Sequence, residues 1–97
     1  MNQVLIVEFS AKDEASVMTL RHILQERRSA MKEAGCKKID WYTNQDDPKS
    51  LVYIAEWPSR GQYDDYMKWA QEQSNNGTVS ACFARPPRLS WLRKTEA

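Results

Sequence analysis

Leu51-Val52-Tyr53-Ile54-Ala55-Glu56-Trp57-Pro58-Ser59-Arg60-Gly61-Gln62 carries a strand, its stop and the start of a helix in one run. Leu51 to Trp57 is rich in β-branched and aromatic residues, which suit a pleated, packed surface. Pro58 cannot donate to a ladder, and Ser59 with Gln62 three residues on makes an S-x-x-Q capping box. The strand is apolar on both parities: Val52 and Ile54 on one, Leu51, Tyr53, Ala55 and Trp57 on the other. A strand with one wet face would alternate apolar with polar. This one predicts cover on both sides.

The same pattern recurs at the start of the chain, where Val4 and Ile6 oppose Leu5, Val7 and Phe9. From about residue 13 to 34 the chain lacks Gly and Pro, and Val17, Leu20, Leu24 and Met31 recur at helical spacing. Ser10 and Asp13 offer a weak start signal, and Gly35 supplies the left-handed stop. Lys38 to Thr43 alternates as a strand, and Asn44-Gln45-Asp46-Asp47-Pro48 predicts a long hairpin loop into Leu51–Trp57. Tyr63, Tyr66, Met67 and Ala70 line one face of a second helix, which Ser74-Asn75-Asn76-Gly77 would end. A last strand is predicted from Thr78 or Val79 through Ala81 and Phe83 to Arg85.

The order β-α-β-β-α-β is the ferredoxin-like α+β arrangement. Right-handed crossovers put both helices on one face of a four-stranded antiparallel sheet, commonly ordered 4-1-3-2. The 97 residues form one domain. Its final stretch, about 86–97, reads as a C-terminal arm. Pro86-Pro87 must break the last strand or place it at an edge, and Leu89, Trp91 and Leu92 must pack on a neighbouring subunit or back on their own sheet.

The doubly apolar strands are the central pair of that sheet, and helices cover only one face. An exposed apolar patch of that size is rare on a soluble monomer. The expected cover is a second copy, giving a homodimer whose stacked sheets close into an α+β barrel. Fourteen basic and 13 acidic side chains leave a net charge of +1, and no basic block with interleaved aromatics occurs. Arg85, Arg88, Arg93 and Lys94 near the end are spaced and partly offset by Glu96. Nucleic-acid and anionic-membrane partners are therefore not expected. Val4–Val7 is too short for a secretory core and no run approaches a bilayer span. Cys36 and Cys82 form no C-x-x-C, so two buried thiols in a cytoplasmic protein are expected.

At this point the residues resemble a family. Glu33-Ala34-Gly35-Cys36 is similar to the Pro-Gly-Cys corner of antibiotic biosynthesis monooxygenase domains, Asp46-Asp47-Pro48 to their hairpin turn, and Glu56-Trp57-Pro58-Ser59 to their Glu-Trp-x-Ser signature. The likeness spans roughly residues 3 to 75. It implies a dimeric α+β barrel with a cavity in each subunit between sheet and helices. Some members oxidise polycyclic phenols to quinones with O₂ and no cofactor, others degrade haem, and many have no assigned reaction.

The phenol-oxidising members are associated with an Asn, a Trp and a Tyr; Trp57 and Tyr63 fit the last two, while Tyr53 stands where the Asn would be. The resemblance thus implies Trp57 and Tyr63 as catalytic residues, the Trp57 N–H orienting a phenol and Tyr63 donating to a developing phenolate. Tyr53 and Tyr66 complete an aromatic, hydrogen-bonding set suited to binding a small aromatic molecule. His22, the only histidine, is a further substrate-binding candidate on the first helix. Haem degradation is disfavoured, because Tyr66 stands where haem-degrading members carry an axial His. No metal or cofactor motif is present. The leading expectation is a cofactor-independent monooxygenase on a phenolic or quinol-type substrate; the alternative is a non-catalytic ligand-binding or structural dimer.

Overall fold

The parity seen in the two central strands becomes two unequal faces in the folded chain. In β1 (Gln3–Ala11), Leu5, Val7, Phe9 and Ala11 are buried, while Val4, Ile6 and Ser10 are half-buried. In β3 (Asp47–Trp57), Leu51, Tyr53, Ala55 and Trp57 are buried, with Val52 and Ile54 half-buried. The computed structural model describes residues 3–93 and Thr95; Lys94, Glu96 and the tip of the expected arm lie outside the described residues. With β2 at Lys38–Asn44 and β4 at Phe83–Leu92, its antiparallel sheet runs β2-β3-β1-β4, which is the order 4-1-3-2 read from the opposite edge. All pairings are antiparallel, with Val7 opposite Tyr53 and Leu5 opposite Ala55 at the centre. The fold is the expected ferredoxin-like α+β architecture.

The first helical stretch is not continuous. It divides into α1 (Glu14–Glu26) and α2 (Arg28–Glu33), with a step at Arg27, whose φ of −81° and ψ of −2° tighten the turn. Asp13 caps α1, its Oδ1 accepting the Ser16 N–H at 2.7 Å. The stop at Gly35 is as expected: φ is +115°, a conformation open chiefly to glycine. A side chain there would also run into the Gln62 amide, which donates to the Ala34 carbonyl at 3.3 Å. The Ser59 hydroxyl accepts the Gln62 N–H at 3.2 Å. Only half of the capping box therefore closes on itself. The Gln62 amide N–H is turned toward the end of α2, tying α3 (Arg60–Gln71) to α2.

Three local expectations are corrected. The hairpin between β2 (Lys38–Asn44) and β3 is tight, Asn44 pairing directly with Asp47. Asn44 Oδ1 accepts the Asp46 N–H at 2.8 Å, so side chains read as loop formers instead hold a two-residue turn. The segment expected to open the last strand is a short helix, α4 (Asn76–Ala81), which turns Val79 into the core. β4 runs Phe83–Leu92, straight through Pro86 and Pro87. It is an edge strand, and its register on β1 shifts between Glu8 and Ser10, opposite the two prolines. Leu89, Trp91 and Leu92 therefore lie in β4 and pair with Val7, Leu5 and Val4. Among the described residues no helix is long and apolar enough to cross a membrane.

Candidate active site

The buried parity of β1 and β3 floors the space beneath the helices, and Tyr53 stands at the middle of that floor. Its ring meets Trp41 at 5.0 Å and Phe9 at 5.9 Å, centroid to centroid. From above, α3 lowers Tyr63 and Tyr66, three residues apart and so on one helix face. α1, α2 and α4 bring Leu24, Arg27, Met31 and Val79, and β4 closes the side with Phe83 and Leu89. Between these elements is a cavity of about 430 Å³, lined mainly by apolar and aromatic groups.

Tyr53, Tyr63 and Tyr66 line this cavity together. Burial pushes the Tyr63 phenol up to about 12, with the neighbouring Tyr53 hydroxyl pulling the other way. Burial holds Tyr53 well above the usual phenol range, and raises Tyr66 against an opposing pull from the Arg27 guanidinium. All three keep their protons near neutrality. They are donors and acceptors, not bases.

Trp57 lies one layer deeper. It is fully buried at the end of β3 and does not line the cavity. Its ring meets Tyr63 edge-on at 5.5 Å and 77°, and tilts against Tyr66 at 5.8 Å. Its indole N–H has no acceptor among the described residues. Tyr63 is held on its other side by Trp91, edge-on at 5.5 Å, over which Arg60 sits at 5.2 Å.

His22 is not brought to this group. It lies on the outward face of α1, its side chain 76% exposed, with Nε2 3.0 Å from Glu26 Oε1. Two residues past Leu20, it points away from the inward stripe of Leu20 and Leu24. The residue overlooked is Arg27. It is 6% exposed, lines the cavity, and stands three residues after Leu24 and four before Met31. A basic residue inside an apolar stripe was visible as an interruption of that stripe.

The family model for antibiotic biosynthesis monooxygenases matches residues 3–72. The chain belongs to this family. No curated protein matches it. Among solved structures, the fold is similar to that of Rv0793 from Mycobacterium tuberculosis, at 19% identity and TM-score 0.75, covering 100% of this chain and 98% of that one. It also resembles a monooxygenase from the gene ActVA-Orf6 of Streptomyces coelicolor, solved with the ligand nanaomycin D, at 17% identity and TM-score 0.75, covering 99% and 89%. SnoaB, a cofactor-independent oxygenase from Streptomyces nogalater, is similar at 11% identity and TM-score 0.71, covering 99% and 95%. At these identities the structures share a fold with this antibiotic biosynthesis monooxygenase domain.

Proposed function

We propose that this domain is a cofactor-independent monooxygenase that oxidises a phenolic or quinol-type aromatic molecule. The observation that carries this reading is the apolar cavity of about 430 Å³ into which three protonated tyrosines converge. Its size falls in the range of about 300–1,000 Å³ usual for small-ligand sites. The overall reaction balances without a further reductant: a phenol and O₂ give a quinone and water, one oxygen atom entering the ring and the other leaving as water. The substrate supplies the electrons, so the protein has only to orient the ring, stabilise its anion and exclude water.

Tyr63 is the hydrogen-bond donor to the substrate oxygen in this scheme, and Tyr53 and Tyr66 form the aromatic walls. Trp57, beneath both α3 tyrosines, is a positioning residue. Two further parts of the reading concern the whole protein. The half-buried outer sheet face is covered by a second copy, making the active form a homodimer, and Cys36 and Cys82, both free and buried, remain reduced in the cytoplasm.

Oxygen consumption in the presence of phenols and hydroquinones tests the proposal. Stoichiometric quinone is expected, with Tyr63→Phe lowering kcat on the order of a hundredfold, the cost of losing one preorganised donor. Trp57→Phe, which keeps the aromatic contact but not the bulk, should give a smaller loss. Ligand binding with no oxygen uptake would instead identify a non-catalytic binding module of the same fold.

A further inference from the structure

A buried arginine ordinarily faces a carboxylate, because an unpaired charge in a low-dielectric interior is costly. Arg27 has none within ion-pair distance among the described residues. Its Nη2 donates to Asn75 Oδ1 at 2.6 Å and toward the Ala70 carbonyl at 3.5 Å, both neutral acceptors. Its Nε–H, also buried, meets no acceptor among the described residues. Among the described residues lining the cavity, Arg27 alone carries a formal charge.

The other titratable groups facing it there are Tyr53, Tyr63 and Tyr66, and burial keeps each of them neutral. No side chain of the cavity thus compensates the guanidinium. A purely structural strap from the α1–α2 step to the α3–α4 junction would need only a neutral donor for Asn75, Ala70 and the neighbouring Tyr66 hydroxyl. Glutamine would serve. The positive charge is the feature left over.

We propose that Arg27 is the anion-docking residue of the cavity, whose ligand is an aromatic molecule bearing an ionised oxygen, phenolate or carboxylate. The proposal rests on the reading of the cavity as a small-aromatic site and adds the charge of the ligand and the residue that selects it. An anionic oxygen at the guanidinium is held by a charge-assisted hydrogen bond, roughly twice as strong as a neutral one. The tyrosine hydroxyls can donate to the same ligand.

Calorimetric titration of the full-length wild-type protein with two matched pairs decides the matter. The first pair is 2-naphthoate against 2-naphthamide. The second is 2-naphthol against 2-methoxynaphthalene, with the absorbance of bound naphtholate followed against pH. The naphthoate should bind at least roughly tenfold tighter than the amide, about what a hydrogen bond to a charged group contributes. Bound naphthol should ionise at a lower pH than free naphthol. Selectivity confined to the first pair identifies a carboxylate ligand, and confined to the second a phenolate.

Arg27→Gln should abolish the preference and Arg27→Lys should retain part of it. Because the wild-type comparison needs no variant, a poorly folded substitution does not blunt the test. Equal binding within both pairs, or a preference surviving Arg27→Gln, overturns the proposal. Binding of none of the four probes overturns both it and the small-aromatic reading. Anion-selective binding without oxygen uptake supports the docking role and sinks the oxygenase. Oxygen uptake indifferent to ligand ionisation and to Arg27→Gln does the reverse.

Discussion

A tyrosine can donate to a phenolic ligand only while it keeps its proton, and the cavity guarantees this for Tyr63. The phenol titrates near 10 in an unfolded chain and at about 12 in the folded one. Between those values the unfolded state releases the proton first, so it binds fewer protons than the native state and stability falls as pH rises. Wild type should lose stability between about pH 10 and pH 12, and Tyr63→Phe should lose less of it, as read from urea unfolding across that window. Equal declines would mean that Tyr63 is not shielded from water. That Tyr53, Tyr63 and Tyr66 share the inner side was readable, because a strand parity and a three-residue helix spacing fix which way they face. The depth of Trp57 was not readable, since it depends on an edge-on packing against Tyr63 that no spacing encodes. His22 shows the converse: a chemically apt side chain whose helix phase turns it to solvent.

Elements meet at a few junctions, and the one at Gly35 ties the end of α2 to the start of α3. Its positive φ ends the α2 turn, and its missing side chain lets the Gln62 amide reach the Ala34 carbonyl. Gly35→Ala should therefore cost roughly 1–3 kcal/mol, as a left-handed backbone is forced on a residue with a Cβ. A shift of the chemical-denaturation midpoint measures this, and an unchanged midpoint would show that the turn can relax. The two central strands and both helix starts were legible because parity, Pro58, Ser59 and Asp13 are local signals. α4 was not. Asn75-Asn76-Gly77 has the composition of a breaker, yet Asn75 precedes a helix and gives its side-chain oxygen to Arg27 rather than to the helix. The partner of that side chain lies 48 residues away, beyond the reach of any local pattern.

At the scale of the molecule, the sheet order followed from the order of the elements, but the cover of the outer face is a matter of what meets it. Val4, Ile6, Val52 and Ile54 form a half-buried strip, flanked by Tyr42 at 50% and Leu92 at 47% exposure. A second sheet laid over this strip gives the proposed homodimer. Sedimentation at micromolar concentration should show the dimer for wild type and a monomer for Ile54→Lys, with the helix-side core intact by circular dichroism. A monomeric wild type would remove the barrel. The sheet also has open flanks, and one of them is β4 with Pro86 and Pro87. Two consecutive residues there have no N–H to offer an incoming strand. Growth sideways into fibrils or endless ribbons is thereby discouraged, so that self-association is steered toward a finite particle even when the protein is concentrated.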